Sequence, residues 1–373
     1  MKKIVVFYGS DRAYAEILPS RYRNLSDIAM QMDSDSKQME LWVKGLPQQA
    51  ENQKEKKEKK SKISVSNFVI FADEYSSVNE HVIINFISFL AKLNITNMYI
   101  QNPPVHLLDQ IRRVYGEKNI ISETRQEYQP VEENSIRTIN DDFGKRIIGQ
   151  ENVKQQLLKS IFPVMNNVQS KPVVILFYGS SGLGKTETAQ FLTEVVGGRL
   201  LRKQFSMYQN NEFANYLFGG KYNEKSFAKD LVSRDANVIL LDEFDKANPL
   251  FHSAFYQLFD EGIFEDQNYK VDVRHAIIIC TSNYQSKDEV KEQLGIPIYN
   301  RFDAVIRFDE LSKEAKMQIA SKELEELDTK NVLTQEIRES IISNSCAMAN
   351  AREIRRLIKD TISLFEIRKI CSS

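Results

Sequence analysis

Residues Gly179–Thr186 read Gly-Ser-Ser-Gly-Leu-Gly-Lys-Thr and fit the pattern G-x-x-x-x-G-K-S/T. Glycines at these positions let consecutive backbone N–H groups turn inward around an anion, and the positive end of a following helix reinforces them. Gly179, Ser180, Ser181, Gly182, Leu183 and Gly184 would supply that cradle. Lys185 would reach the β- and γ-phosphates of a nucleotide, and Thr186 would give its hydroxyl to Mg2+. At average glycine usage of about 7%, a chain of this length meets the pattern by chance roughly once in a hundred. The loop therefore predicts ATP and Mg2+ as cofactors.

A second group of residues supports the same chemistry. Asn237–Lys246 reads NVILLDEFDK, an apolar strand ending in Asp242 and Glu243. Carboxylates at the C-terminal end of a parallel strand face the ligand crevice. Asp242 would hold Mg2+, directly or through water, and Glu243 would orient the attacking water and accept its proton. A third apolar strand, Ala276–Thr281, is followed by Ser282 and Asn283. The Asn283 amide could orient the same water by hydrogen bonds.

These residues need a scaffold, and the apolar periodicity supplies one. Strand-like runs Val173–Tyr178, Asn237–Leu241, His275–Thr281 and Ala304–Phe308 alternate with amphipathic helices from Asp142 onward. This is the signature of a parallel sheet with helices on both faces. After Leu311 the chain is helical in pattern, with neither Gly nor Pro. Before it, strand-like Ile4–Tyr8, Asn67–Ala72 and Asn97–Ile100 and helix-like Glu80–Leu93 and Val105–Tyr115 predict a small α/β domain. Residues 116–141 are polar and read as a linker. Glu51–Lys62 has six lysines, three glutamates and no apolar residue, so it reads as a solvated insertion. The domains expected are 1–130, an α/β domain for partner recognition with the charged insertion 51–62; 131–310, the large ATPase subdomain; and 311–373, a small helical one.

Composition narrows the function classes. Of 373 residues, 42% are hydrophobic and 27% charged, with net charge −1. Such a balance, without a basic stripe interleaved with aromatics, argues against a nucleic-acid partner. No apolar segment is long enough to span a bilayer, and the N-terminus MKKIVVFYGS reads as a first strand rather than a signal peptide. Cys280, Cys346 and Cys371 are few and widely spaced, which fits a reducing compartment and a cytoplasmic location.

From Asp142 to Ile370 the order of motifs resembles a Clp-type AAA+ ATPase module of the second-ring type. RIIGQ (Arg146–Gln150) is similar to the family's segment before the helix that leads to the P-loop strand; the resemblance implies that Ile147 and Ile148 pack against adenine. The P-loop matches, and LLDEFDKANPLFHSAFYQLFDEGIFED resembles the extended acidic segment. VDVRHAIIICTSN resembles the sensor-1 strand ending in Asn283. IYNRFDAVIRF resembles the arginine-finger segment, which implies that Arg301 is the finger. ANAREIRRLIKD resembles the sensor-2 helix, which implies that Arg352 faces the γ-phosphate of its own subunit, although Asn350-Ala351 stands where the family has Gly-Ala. The resemblance implies self-assembly into a hexameric ring. The fold expected is α/β: a P-loop AAA+ module with a parallel sheet and a small helical C-terminal lid, preceded by a small α/β domain.

Two departures bear on function. The family's second-ring pore loop carries Gly-Tyr-x-Gly, whereas Tyr216–Ser226 reads YLFGGKYNEKS and splits the Gly-Tyr pair with Lys221. Tyr222 is the candidate for gripping substrate, with Tyr216 and Phe218 as other aromatics; Phe218, after Tyr216-Leu217, is expected to pack inward. The C-terminal subdomain is also abbreviated. The first expectation is an ATP-driven remodeller of a protein partner. The alternative is a nucleotide-dependent assembly switch with slow turnover that activates a partner. A nucleic-acid motor or loader comes third.

Overall fold

The computed structural model describes residues 1–35, 62–165, 171–207, 212–221, 224–247 and 249–371. Residues 51–61 of the charged insertion and Tyr222 lie outside the described residues. The N-terminal strands are β1 (Lys3–Tyr8), β2 (Arg23–Asn24), β3 (Ile63–Ile70), β4 (Leu93–Gln101) and β5 (Ile121–Arg125). Next come β6 (Val173–Tyr178), β7 (Leu201–Gln204) and β8 (Val238–Asp242), then β9 (Ile263–Glu265), β10 (Lys270–Asp272), β11 (Ile277–Thr281) and β12 (Ala304–Arg307). The chain forms two compact units, with the first cut between Tyr128 and Gln129.

The first unit comprises residues 1–128, 210–235 and 263–273. Its sheet has the order β2-β3-β4-β1-β5, and every pair in it is parallel. Ile4, Val6, Phe68, Ile70, Met98 and Ile100 are fully buried in it. The helix Val105–Tyr115 forms as its periodicity predicts, burying Leu107, Leu108 and Ile111. Glu80–Leu93 is instead two short helices, Glu80–Ile84 and Phe86–Leu90, because Asn85 leaves helical geometry at ψ 42°. The polar stretch 116–141 is not a linker. It holds β5 and the helix Glu133–Arg146, which fully buries only Ile139 and Phe143 and is otherwise mostly polar, so its composition resembles a loop.

Segments 210–235 and 263–273, which the sequence reading places inside one continuous large subdomain, pack in this first unit. Phe227 meets Phe264 edge-on with ring centres 4.9 Å apart. Asn102 Nδ2 donates to Ser233 Oγ at 3.2 Å, and the Val105 N–H donates to the Asn268 carbonyl at 2.8 Å. The Arg234 guanidinium stacks 4.4 Å from the centre of the Tyr128 ring. In the same segment Tyr216 is buried, and its hydroxyl donates to Asp230 Oδ2 at 2.6 Å. Phe218, expected inward, is 45% exposed: it ends the helix Glu212–Phe218, where the chain turns at Gly219 with φ +83°.

The second unit comprises residues 129–209, 236–262 and 274–373. Its five parallel strands run in the order β12-β6-β11-β8-β7. The central strands VVILFY, VILLD and IIICT are buried at every residue, because helices cover both faces of the sheet. β7, LRKQ, is an edge strand and only half-buried. Helices Lys313–Leu327, Gln335–Asn344 and Ala351–Cys371 complete the unit around Ala320, Leu324, Ile341, Ile354 and Ile358. Among the described residues, no helix is long and apolar enough to cross a membrane.

Candidate functional site

β6 delivers the chain to a loop that only glycine can follow. Gly179, Gly182 and Gly184 adopt φ of +131°, +79° and +101°. A Cβ on Gly182 would sit 2.8 Å from the Asn350 side chain, and one on Gly184 would sit 3.2 Å from Ile147 Cγ2. Neighbouring side chains thus pack against the loop at both glycines. Gly184 leads into the helix Lys185–Val196, whose first N–H groups aim at the same space. Leu183 anchors the loop in the core. Ile147 is buried against Gly184, and Ile148 is half-buried beside it, an apolar wall next to the loop.

Lys185 is 8% exposed. Its Nζ donates to the Gly179 carbonyl at 2.5 Å, the Ser180 carbonyl at 2.8 Å and Asn283 Oδ1 at 3.3 Å. Burial holds its pKa down at about 8, against the pull of Asp245 and Asp242 and with a further push from Arg352. Asn283 therefore reaches the P-loop lysine from the end of β11. Arg352 reaches the same loop from the C-terminal helices, donating from Nη1 to Ser181 Oγ at 3.3 Å. Ser180 Oγ donates to Glu310 Oε1 at 2.6 Å, and Thr186 is half-buried.

β8 ends at the two acids. Asp242 is 5% exposed, and its Oδ1 accepts from Thr281 Oγ1 at 2.5 Å. Its Oδ2 accepts from Arg202 Nε at 2.9 Å and Nη2 at 2.5 Å. Glu243 sits in the left-handed region at φ +54°, which costs a non-glycine residue about 1–3 kcal/mol and recurs at functional sites. The Glu243 N–H donates to Thr281 Oγ1 at 2.9 Å. Its Oε2 accepts from Gln204 Nε2 at 3.1 Å. The Ser206 hydroxyl and then the Gln204 amide hold the Glu243 carboxyl below its ordinary pKa. Asp245, one turn on, is 3% exposed at its side chain, and its Oδ1 has no hydrogen-bond partner among the described residues.

Arg301 stands apart from this group. Its Nε pairs with Asp260 Oδ2 at 2.8 Å and its Nη1 donates to the Pro297 carbonyl at 2.7 Å. Its guanidinium lies 4.0 Å from the centre of the Tyr256 ring. Arg202, Gln204, Ser206 and Thr281 escaped the sequence reading. Their only signal is position: β7 lies beside β8 with Gln204 opposite Asp242, and residues two apart share a face.

Five parallel strands, a glycine-cradled lysine and a carboxylate pair beside it define a nucleotide-binding P-loop module of the AAA+ class. Residues 170–344 match the family described as AAA domain (Cdc48 subfamily). The chain is 30% identical over 217 residues to the ClpA homolog protein of Fuscovulum blasticum, covering 50% of this chain and 27% of that protein. It is 28% identical over 277 residues to the ATP-dependent Clp protease ATP-binding subunit ClpE of Bacillus subtilis, covering 63% and 40%. A structure of Hsp104 with ATPγS and FITC-casein in its closed state aligns with TM-score 0.53 at 19% identity, covering 74% of this chain and 53% of that one. The chain thus spans less than half the length of these curated relatives, and its residues 170–344 are similar to an AAA domain.

Proposed function

We propose that this protein hydrolyses ATP with Mg2+ and acts as an oligomer, a hexameric ring, on a protein partner. The observation that carries the reading is the convergence on one loop: Lys185 Nζ lies 3.3 Å from Asn283 Oδ1, while Arg352 touches Ser181. Three separate elements thereby aim polar groups at a phosphate cradle. Lys185 would pair with the β- and γ-phosphates, and Arg352 with the γ-phosphate of its own subunit. Ile147 and Ile148 would wall the base.

The donor set fits Mg2+. Among the described residues no three His, Cys, Asp or Glu side chains could cage a metal alone, and Mg2+ characteristically takes one or two carboxylates plus substrate phosphates. Asp242 and Thr186 would hold it, and Mg2+ would neutralise charge building on the transferred phosphoryl group. Glu243 would take the proton of the attacking water, and Asn283 would orient that water. Arg301 would act on the neighbouring subunit's nucleotide, since its contacts in its own chain lie on Asp260, Pro297 and Tyr256.

A specific observation also favours the second reading, an assembly switch with slow turnover that activates a partner. Tyr216, an aromatic of the segment where a gripping loop is expected, is buried and bonded to Asp230. The test is Glu243→Gln measured for both nucleotide binding and phosphate release. Retained affinity with turnover reduced at least ~100-fold supports hydrolysis with Glu243 as base. Unchanged turnover would remove Glu243 from that role. A wild type that binds ATP, assembles and releases almost no phosphate would favour the switch.

A further inference from the structure

We infer that Arg202 is a positioning residue that occupies Asp242 Oδ2 in competition with Mg2+, and so sets the Mg2+ concentration at which the nucleotide site fills. The inference rests on the reading of Asp242 as the Mg2+ carboxylate. Both Asp242 oxygens are engaged: Thr281 Oγ1 takes Oδ1, while Arg202 Nε and Nη2 both take Oδ2. A carboxylate on a side chain only 7% exposed needs this compensation, because an unpaired buried charge is strongly destabilising. The guanidinium supplies the positive charge that a cation would otherwise bring.

The two roles exclude each other at Oδ2. A dication brought to that oxygen meets the guanidinium at contact distance, so Arg202 must swing away or the cation must settle for Oδ1 and its waters. Arg202 can swing. Its side chain is 49% exposed, its four-bond stem is flexible, and it projects from β7, a half-buried edge strand of the sheet. Thr281 cannot follow, being buried at the end of β11 and tied to the Glu243 N–H. Asp242 thus keeps its orientation through Thr281 while its second oxygen passes from one cation to the other. Arg202 and Gln204, two residues apart on β7, hold Asp242 and Glu243 respectively, so the edge strand grips both acids.

The test measures binding of a fluorescent ATP analogue against Mg2+ concentration, which does not depend on turnover. Arg202→Gln should lower half-saturating Mg2+ by roughly 1.5-fold to fivefold, the scale of a partly exposed ion pair, with affinity at saturating Mg2+ essentially kept. The Mg2+-free protein should melt at lower temperature in Arg202→Gln, and the difference should close when Mg2+ and the analogue are present. Arg202→Lys keeps the charge and should fall between the two; it carries the test if the glutamine variant fails to fold. In an Asp242→Asn background Arg202→Gln should have no further effect on the Mg2+ curve. An unchanged or raised Mg2+ half-saturation with normal binding overturns the role of Arg202 alone. Absence of any Mg2+ stimulation in wild type overturns the reading of Asp242 and this inference with it.

Discussion

Lys185 is a buried ammonium that satisfies its three donors on two carbonyls of its own loop and on Asn283. Those three acceptors are what a nucleotide's phosphate oxygens would replace, at close range and in a cradle with no other lysine. Lys185→Ala should therefore weaken ATP binding by at least about tenfold, since charge-assisted hydrogen bonds are worth roughly 1.5–3 kcal/mol each. The measurement is titration with a fluorescent ATP analogue, with circular dichroism to establish that the variant is folded; near-wild-type affinity would remove Lys185 from the site. The P-loop was legible because its chemistry constrains the backbone: positive φ at Gly179, Gly182 and Gly184 requires glycine at fixed spacing. Asp242 and Glu243 were legible because an apolar strand ending in two acids is itself a pattern. Arg202, Gln204 and Thr281 were not, because each acts through contacts that depend on which strands are neighbours, and strand order is not written in any local pattern.

At the scale of elements, the buried central strands and the edge strand β12 announced themselves, whereas the edge strand β7 and one helix did not. β6, β8 and β11 are apolar at nearly every position because both faces are covered. β7 reads LRKQ, and the helix Glu133–Arg146 hides two apolar anchors among polar residues, so neither stood out. The C-terminal helices were plain as helices, but the polar knot that ties the turn between the first two of them was not. Asp328, buried, accepts from the Val332 N–H at 2.6 Å, the Leu333 N–H at 3.2 Å and Arg338 Nη2 at 2.5 Å. Burial alone would raise its carboxyl, but those N–H groups and the Arg338 guanidinium outweigh it and hold the pKa below the ordinary value. A depressed carboxyl contributes stability that is complete above its unfolded pKa, about 3.9, and is lost as acid protonates it in the fold. Asp328→Ala should lower the stability of this helical group by about 2–4 kcal/mol at neutral pH, because two buried N–H groups and a guanidinium lose their acceptor. The gap between variant and wild type should narrow below pH ~4. Thermal melts monitored from pH 3 to pH 8, roughly spanning that window, check both statements.

At the scale of the whole molecule, the two readings of function differ in what one subunit must supply to the next. Arg301 is held on its own chain by Asp260, the Pro297 carbonyl and the Tyr256 ring, a fixed cation with no bond to the P-loop or to the two acids among its described contacts. A guanidinium anchored on three sides is suited to presentation, since it needs no further ordering to meet a partner's phosphate. If it completes the neighbour's site, it should account for on the order of 10³-fold or more in rate, as arginine fingers do. Turnover per subunit should then rise steeply with protein concentration through the range where the oligomer forms. Arg301→Ala and Lys185→Ala should each be inactive alone. Mixed in equal amounts they should recover turnover, because roughly a quarter of interfaces in a random ring pair an intact arginine with an intact lysine. The two measurements are phosphate release across a dilution series whose assembly state is followed by light scattering, and release from the mixed variants. Turnover per subunit that stays constant down to the monomer, together with no recovery on mixing, would place catalysis within a single chain. It would also leave Arg301 as a brace between the helix Ile296–Tyr299 and the helix Tyr256–Glu261. Recovery on mixing without any effect on a bound protein partner would instead show that hydrolysis serves assembly itself, which is the behaviour of a switch rather than a remodeller.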